Sequence, residues 1–319
     1  MSEQINTKPY KANLEVYSET LQRLAENDPD IIAVTSDSRG SGKLVPFGKK
    51  FPDQIVEVGI AEQNLVGVAA GLASCNKKVF ATSPACFLTA RALEQIKNDV
   101  AYSNNPVNVI GISAGVSYGA LGSTHHSLHD YAVLRAINNI TVVAPADNWE
   151  TGQAIELAAR TNEPVYLRFG KKAMPPLNDA AGETFAFGKG RVITKGDDVL
   201  IIGCGETVYP ALEAANLLKE QGIEATVVSM HTIKPLDTGL LAGLAKKSKA
   251  IITVEEHSVY GGLGEACASY LLQHGICKPF KIMGIPDEYT VTGSQTEIFN
   301  HYGINKAGIA AVAKELLGS

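Results

Sequence analysis

The sequence predicts an α/β protein with two domains, each built on a mostly parallel sheet with helices on both faces. Three observations support this fold class. Short apolar runs alternate with amphipathic stretches along the chain, and runs such as VNVIGIS and TVVAPA are almost entirely apolar, as expected for parallel strands buried on both faces. One stretch without periodicity divides the chain. The length of 319 residues suits two domains that each bury a core.

Six strands and five helices are predicted to alternate in the first half of the chain. The strands are short apolar runs, and the helices are longer amphipathic stretches between them. We expect strands at Ile31–Ser36, Gln54–Val58, Lys78–Ala81, Val107–Ile112, Ile140–Ala144 and Val165–Phe169. We expect helices near Leu14–Asn27, Ala61–Cys75, Leu88–Ser103, Ser127–Asn138 and Asn148–Thr161.

The stretch GKKAMPPLNDAAGETFAFGKG (170–190) is rich in Gly, Pro, Ala and polar residues, which is typical of an interdomain linker. The α/β alternation then resumes. Strands are expected in VLIIGCG, ATVVSM, AIITVEE and FKIMGI, and helices near Tyr209–Gln221, Leu236–Lys246 and Gly264–His274. We therefore predict a first domain over residues 1–172, a linker over 173–189 and a Rossmann-like second domain over 190–319.

Composition excludes several functional classes. The net charge is −5 and no Lys/Arg-rich run occurs, so a nucleic-acid partner is not expected. The five cysteines are odd in number and form no Cys-x-x-Cys pair, which indicates reduced thiols. The N-terminal segment MSEQINTKPYKANLEVY is polar, and no apolar stretch reaches the ~18 residues of a membrane span. We expect a cytoplasmic protein that contacts no membrane.

One carboxylate lies in an unexpectedly apolar run. Glu62 falls within VEVGIAEQNLV (56–66), where a predicted strand gives way to a predicted helix. An acid in the first helical turn interacts favourably with the helix dipole, which would be a purely structural role. A chemical role depends on the segments that accompany it.

Four stretches, in the same order, resemble the thiamine-diphosphate-dependent transketolase family. DQIVEVGIAEQNLVGVAAGLA (53–73) is similar to the segment that supplies the activating glutamate, and SPACFLTARALEQIKNDVAY (83–102) to the aromatic pyrimidine pocket. GALGSTHHSLHDYAVLRAINNITVVAPADN (119–148) resembles the Thr-His segment that faces the thiazolium ring and the substrate. VVSMHTIKPLD and IITVEEHSVYGGLGEA resemble the transketolase C-terminal domain. The resemblance covers essentially residues 10–319.

The diphosphate-binding motif of full-length transketolases, Gly-Asp-Gly…Asn, is missing from this sequence. The chain therefore resembles the C-terminal subunit of a split transketolase, with a pyrimidine-binding domain and a C-terminal domain. The resemblance implies that thiamine diphosphate lies at the joint with a separate N-terminal subunit, which would hold Mg²⁺ and the diphosphate. This chain would then supply no metal ligand. We expect an α2β2 heterotetramer that also self-associates through both domains of this chain.

The resemblance assigns roles to single residues. Glu62 would hydrogen-bond N1′ of the aminopyrimidine and so activate the cofactor, which favours a poorly solvated carboxyl. Phe87 would stack on the same ring, and Ile60 and Arg91 would complete the cofactor contacts. His125 would lie near the reacting carbonyl, hydrogen-bond the hydroxyls of the donor sugar and move protons.

The polar run Thr124–Asp130 leaves alternatives open. His125 and His129 are four residues apart and could share a helical face, so a transition-metal site is an alternative interpretation. His126 and His129 are weaker candidates for catalysis. Asp130 is a candidate substrate contact, and it could instead orient a neighbour or cap the helix that begins there.

Departures from the family pattern concern the substrate and the aromatic pocket. Leu121 stands where transketolases carry an Asp that binds a sugar hydroxyl, and Ser113 stands where they carry a phosphate-binding His. Sugar preference is therefore expected to differ. Pro84 and Ala90 replace two pocket aromatics, so the partner could complete the pocket. Three residues remain candidates for a substrate phosphate: Ser38, Arg39 and Lys171.

We predict a transferase that moves a two-carbon ketol unit from a ketose or its phosphate to an aldose acceptor, active only with its partner. Two alternatives share both domains: the E1 β subunit of a 2-oxoacid dehydrogenase and a 1-deoxyxylulose-5-phosphate synthase-like half. A non-catalytic regulatory subunit is the alternative from another class. Glu255, Glu256 and His257 are assigned to packing and subunit contacts, since they lie in the second domain.

Overall fold

A computed structural model describes residues 10–318; the start of the polar N-terminal segment, residues 1–9, and Ser319 lie outside the described residues. The chain forms a seven-stranded and a five-stranded sheet, and in both sheets most strand pairs are parallel. The predicted α/β fold is therefore confirmed. None of the helices in residues 10–318 is both long and apolar enough to cross a membrane.

The strands within residues 10–318 are numbered in chain order. They are β1 (Ile31–Thr35), β2 (Ile55–Glu57), β3 (Lys78–Pro84), β4 (Val107–Ile112), β5 (Thr141–Val143), β6 (Val165–Phe169), β7 (Arg191–Thr194), β8 (Val199–Gly203), β9 (Ala225–Ser229), β10 (Thr232–Lys234), β11 (Ala250–Ser258) and β12 (Phe280–Ile285). The first sheet has the order β10-β5-β6-β4-β3-β1-β2, and the second β12-β11-β8-β9-β7.

The α-helices of the described residues connect these strands. They are α1 (Asn13–Ala25), α2 (Val45–Lys50), α3 (Glu62–Ser74), α4 (Ala85–Arg91), α5 (Leu93–Gln95), α6 (Asp130–Arg135), α7 (Asn148–Ala158), α8 (Val208–Lys219), α9 (Thr238–Lys247), α10 (Leu263–Gln273), α11 (Gln295–His301) and α12 (Lys306–Leu317). Short 3₁₀ turns occupy Pro52–Gln54, Gly119–Leu121 and Gly205–Thr207, and a π-helical stretch runs over Ile96–Tyr102.

Strand β1 shows why helices cover both faces of the first sheet. Ile32 and Val34 pack in one apolar cluster with Leu65 of α3, whereas Ile31 packs in another with Tyr17 of α1. Side chains alternate between the faces of a strand, so an uninterrupted apolar run requires a cover on each side. The helices supply it.

Two antiparallel pairs were not predicted. β7 lies antiparallel to β9 at one edge of the second sheet. β10 lies antiparallel to β5 in the first sheet, although its residues follow the linker in the chain. The two halves of the chain are therefore joined by backbone hydrogen bonds as well as by side-chain packing.

Two predicted helices have different limits. The helix expected over Leu88–Ser103 begins at Ala85, directly after β3, and consists of α4, α5 and the π-helical stretch, with a bend at Ala92. The helix expected over Ser127–Asn138 is the short α6. The segment between Phe169 and Arg191 contains no helix or strand, but Met174 and Leu177 within it are buried.

Candidate functional site

Three parallel strands bring the predicted residues to one edge of the first sheet. Strands β2, β3 and β4 run in the same direction. Glu62, Phe87 and His125 each follow one of these strands in the chain. The carboxyl ends of parallel strands share one edge, and ligands of open α/β sheets bind there. The fold therefore collects an acid, an aromatic ring and a histidine in one place.

Glu62 is the first residue of α3 and only 4% exposed. This position places its charge at the positive end of the helix dipole. Both carboxylate oxygens accept hydrogen bonds from Nη1 of Arg91, at 3.0 and 3.1 Å. The Arg91 side chain is 51% exposed. The predicted acid is thus buried, and the guanidinium that neutralises it faces solvent.

Arg91 also connects Glu62 to the aromatic residue. Its guanidinium carbon lies 4.5 Å from the centre of the Phe87 ring, a cation–π contact. Phe87 in turn meets the His125 ring edge to face, with 5.2 Å between ring centres. Nδ1 of His125 is 2.9 Å from the hydroxyl of Thr124. Since Nδ1 has this partner, Nε2 is the ring nitrogen left for a ligand.

Tyr118 extends the same group of side chains, and sequence reasoning missed it. Its ring lies 5.4 Å from that of His125, and Nζ of Lys171 lies 4.2 Å from its centre. Burial raises the pKa of the Tyr118 hydroxyl, and burial together with nearby Lys43 lowers the pKa of Lys171. We call the whole group the Glu62–His125 cluster; its members are Glu62, Arg91, Phe87, His125, Tyr118 and Lys171.

Two apolar residues named in the sequence analysis are exposed beside this cluster in the chain. Ile60 is 75% exposed and precedes Glu62 by two residues. Leu121 is 56% exposed and ends the 3₁₀ turn that leads to His125.

Two of the predicted substrate contacts require correction, and a third is already paired. Ser38 is buried, donates its hydroxyl to the carbonyl of Thr82 and pairs with the hydroxyl of Thr35, so it does not face a ligand. Asp130 is fully buried and accepts a hydrogen bond from the hydroxyl of Tyr166. It is the first residue of α6 and not its N-cap.

Arg39 pairs with Glu57, 3.2 Å away, and remains partly exposed.

The metal interpretation of His125 and His129 gains no support. Nε2 of His129 lies 3.2 Å from the hydroxyl of Thr89, whereas His125 contacts Phe87 and Tyr118. Within residues 10–318, no group of three or more His, Cys, Asp or Glu side chains is arranged to hold a metal ion.

A second group of charges is sealed between the domains. Arg168 of β6 is 4% exposed, and its Nε lies 3.4 Å from the Asp130 carboxylate. Its Nη2 donates to the carbonyl of Glu256, and its guanidinium lies 4.3 Å from the ring centre of Tyr131. Burial acts to lower the pKa of Arg168, but Asp130, Tyr131 and Glu256 outweigh it and raise that pKa. We call these residues the Arg168 network.

The polar residues Glu255, Glu256 and His257 lie near the end of β11, close to the contact between the two domains. Glu256 accepts the amide N–H of Val116, and Glu255 accepts those of Leu263 and Gly264. The ring of His257 stacks on Tyr131 of the first domain, 4.8 Å between centres. All three side chains of the triplet are buried within the chain. Glu256 and His257 pack against the first domain, whereas Glu255 binds the first two residues of α10 in its own domain. Their part in subunit contacts stays a prediction.

Two mostly parallel sheets, with a cluster of polar and aromatic side chains at the carboxyl edge of the first, are typical of α/β proteins that bind a ligand at that edge. Family models narrow this class: the model "Transketolase, pyrimidine binding domain" matches residues 11–176, and "Transketolase, C-terminal domain" matches residues 188–309. The chain therefore belongs to the transketolase family.

Two similar proteins are named as enzyme subunits. The chain is 48% identical to an apulose-4-phosphate transketolase subunit of Phocaeicola vulgatus, over 94% of this chain and 96% of that one. It is 41% identical to the protein of the same name from Actinobacillus succinogenes, over 91% and 94%. A solved structure described as "Split gene transketolase, inactive beta4 tetramer" superposes with a TM-score of 0.87 at 35% identity, covering 97% of this chain and 99% of that chain.

The family implies thiamine diphosphate, and the residues of the cluster fit that cofactor. Arg91 uses one lone pair on each oxygen of Glu62, and each carboxylate oxygen has a second lone pair for a ring N–H. Phe87 offers an aromatic surface beside that acid. The described residues offer no comparable group of metal ligands for the diphosphate and its cation.

Proposed function

We propose that this chain is the cofactor-activating subunit of a two-chain transketolase that transfers a two-carbon ketol unit from a ketose phosphate to an aldose acceptor. One observation carries the proposal: the buried acid Glu62 shares a sheet edge and a continuous set of contacts with Phe87 and His125. The end-to-end similarity to chains named as transketolase subunits supports the same activity.

Each residue of the cluster has a defined task in this proposal. Glu62 forms a hydrogen bond with N1′ of the pyrimidine ring and shares a proton with that nitrogen, Arg91 orients Glu62, and Phe87 and Ile60 contact the ring. When bound, thiamine diphosphate supplies the nucleophilic carbon that takes up the two-carbon unit. His125 hydrogen-bonds the donor hydroxyls through Nε2 and moves a proton there, because Thr124 occupies its Nδ1.

A substrate phosphate would bind in a small cavity at the end of the cluster. The cavity has a volume of about 330 Å³ and is lined by Gly40, Ser41, Lys43 and Lys171, among others. Two ammonium groups and a hydroxyl suit an anionic oxygen ligand, which would compete for Lys43 with Glu15, a carboxylate that also lines the cavity 3.7 Å from its Nζ. Ser41 and Lys43 replace Ser38 in the predicted phosphate contacts. Arg39 stays a candidate only if the phosphate competes with Glu57 for its guanidinium.

Apulose 4-phosphate is the first donor to test, because two relatives that match the chain end to end carry that name. The exposed Leu121 supports a donor that differs from the usual sugar phosphates, since an apolar side chain cannot bind a hydroxyl. In a donor panel, Leu121→Asp should shift the ratio of kcat/KM between sugar epimers by about tenfold, as expected for one gained hydrogen bond. An unchanged ratio would mean that position 121 does not select the donor.

We further propose that an N-terminal subunit supplies the Mg²⁺ and diphosphate site, and that two copies of each chain form an α2β2 enzyme in the cytoplasm. Both relatives are named as subunits of an enzyme, which supports a partner chain. Two-fold symmetry would duplicate a site shared between unlike chains. Sedimentation of the mixed subunits, with and without cofactor, tests the stoichiometry.

The decisive experiment is reconstitution. The purified chain, its presumed partner, thiamine diphosphate and Mg²⁺ are mixed and given a panel of ketose phosphates and aldose acceptors. Release of an aldose that depends on the ketose supports the proposal. Activity only with pyruvate would instead support the E1 β or 1-deoxyxylulose-5-phosphate synthase alternative, and no activity with any donor would favour a regulatory subunit.

A further inference from the structure

A loop of the second domain holds the segment that carries Leu121 and His125. The loop, residues 286–294, joins β12 to α11 and contains no helix or strand. Thr290 is its only buried residue, 7% exposed, while its neighbours Tyr289 and Val291 are exposed. A buried threonine in an exposed loop indicates that its hydroxyl has a specific partner.

That partner is His126, directly after His125. The hydroxyl of Thr290 lies 2.6 Å from Nδ1 of His126, whose Nε2 lies 3.0 Å from the carbonyl of Gly119. A carbonyl only accepts, so Nε2 carries the proton and Nδ1 accepts from Thr290. The Ser123 hydroxyl, 3.1 Å from that of Thr290, then donates to it. In this series of hydrogen bonds, each hydrogen has one donor and each donor meets one acceptor, so the assignment is free of conflict.

Backbone packing reinforces the contact. Gly119 and Gly122 have positive φ angles of 54° and 73°. A Cβ on Gly119 would lie 2.6 Å from the carbonyl oxygen of Gly293, and one on Gly122 would lie 3.1 Å from a methyl of Thr292. The two glycines therefore allow the second-domain loop to lie directly against residues 119–126.

We propose that Thr290 is a positioning residue: acting through His126, it fixes residues 119–126 so that Leu121 and His125 face the donor substrate. The second domain thereby helps to shape the substrate side of the site while touching no reacting atom. Burial lowers the pKa of His126, which favours the neutral ring that the assigned hydrogen bonds require. The substrate part of this inference rests on the proposed transketolase activity.

The first test does not need activity. Hydrogen–deuterium exchange of the full chain is measured in peptides that cover residues 119–127, where the amides of His125, His126 and Ser127 are hydrogen-bonded. Thr290→Val, which keeps the shape and removes the hydroxyl, should accelerate exchange there by about five- to tenfold, the cost of one buried hydrogen bond. Thr290→Ser should restore slow exchange. Unchanged exchange in Thr290→Val would overturn the proposal.

Thr292→Val is the matched control. It removes a hydroxyl from the same loop that makes no hydrogen bond to any residue in 10–318, and it keeps the methyl against Gly122. Exchange like that of the wild type is expected. Faster exchange in this control to the same extent would mean that any change in the loop loosens residues 119–126, which would overturn the specific role of Thr290.

The second test uses the reconstituted complex. Thr290→Val should raise the donor KM about fivefold or more while kcat changes less, and Thr290→Ser should recover the wild-type KM, which a general loss of stability would not produce. Faster exchange with an unchanged donor KM would overturn the positioning role. A wild-type complex that transfers no two-carbon unit would refute the proposed function, and the exchange result alone would then decide whether Thr290 fixes the segment.

Discussion

Two arginines of this chain are built into similar contacts and differ in their access to solvent. Arg91 lies 4.5 Å from the ring centre of Phe87 and bonds Glu62; Arg168 lies 4.3 Å from that of Tyr131 and contacts Asp130. The Arg91 side chain is 51% exposed and the Arg168 side chain 4%. The same arrangement of cation, carboxylate and ring is thus open to solvent in one region and closed within the contact between two domains in the other.

The difference shows that neighbouring polar residues of one segment can have very different surroundings. His125 faces the cluster, whereas Asp130, five residues later, faces inward to Arg168 and Tyr166. A charged side chain that is partly exposed to solvent can give up its partner and bind a ligand instead. A charge sealed on every side is costly to leave unpaired. Substitutions in the two regions should therefore affect different properties.

The largest effect is expected for Glu62→Gln. The variant keeps the size of the side chain but removes the acid proposed to activate the cofactor, so two-carbon transfer should fall by about 10²–10⁴-fold. Its free energy of unfolding should stay close to that of the wild type. Rates of aldose release and urea unfolding measure the two properties. Glu26→Gln, which alters an exposed pair with Lys50, serves as control and should keep full activity. Near-normal turnover in Glu62→Gln would reject the assignment.

Arg168→Met should produce the opposite pattern. It leaves the carboxylates of Asp130 and Glu256 buried without their cation, which should cost about 3–5 kcal/mol in the free energy of unfolding. Arg160→Met, in an exposed pair with Glu156, should cost at most about 0.5 kcal/mol. Urea unfolding compares the two variants. Equal losses of unfolding free energy in the two variants would show that burial of the ion pair does not determine its contribution to stability.

Buried carboxylates at the contact between the two domains should also make the stability of the protein depend on pH. Gln295 donates to the carboxylates of both Glu206 and Glu256, at 2.6 and 2.8 Å. Burial and the nearby Glu256 raise the pKa of Glu206 from 4.5 to about 8. The folded chain therefore holds a proton that the unfolded chain releases, and stability should fall as pH rises between these two values, by at most about 1.4 kcal/mol per pH unit for this proton.

Glu206→Gln should flatten that decline, because an amide does not titrate. Urea unfolding at several pH values across the interval measures the slope. Glu224→Gln, at an exposed acid of the same domain, should leave the slope unchanged. A slope that is identical in wild type and Glu206→Gln would show that this carboxyl does not retain its proton on folding.

The smallest effect is expected for Phe87→Leu. The variant keeps an apolar side chain but loses the ring face beside Arg91 and His125, worth about 1 kcal/mol or roughly a fivefold weaker Kd for thiamine diphosphate. Cofactor titration of the reconstituted complex measures it. Tyr260→Leu, an exposed aromatic of the second domain, is the control. An unchanged Kd would remove Phe87 from the cofactor contacts.

The sequence sufficed for the fold class because strands buried on both faces leave uninterrupted apolar runs. It also singled out Glu62, Phe87 and His125, whose flanking segments resemble the family, and the fold brings these three together. Their roles remain predictions. The division into residues 1–172, 173–189 and 190–319 also remains a prediction, although the pairing of β10 with β5 shows that the two halves share a sheet.

Other features depend on contacts that no local pattern encodes. Arg168 meets Asp130 only after the first domain folds and Glu256 only after the two domains pack, and each of these residues lies far from the others in sequence. Asp130 was expected to bind substrate, orient a neighbour or cap its helix; its contacts with Tyr166 and Arg168 agree with the second role and join residues far apart in sequence. Tyr118 lies in a loop without periodicity and was missed. The helix that begins at Ala85 bends at Ala92 and later continues as a π-helical stretch, and the spacing of apolar residues reveals neither feature.

The pairing of β10 with β5 limits how the molecule can be divided. A fragment that ended at the linker would leave the N–H and C=O groups of β5 without their neighbour, an open template for another copy. Such a fragment should aggregate or exchange strands, even with every residue of the Glu62–His125 cluster present. A fragment for studies of the pyrimidine-binding half would have to include residues 232–234. Otherwise it would need a substitution in β5 that prevents its free edge from pairing with another copy.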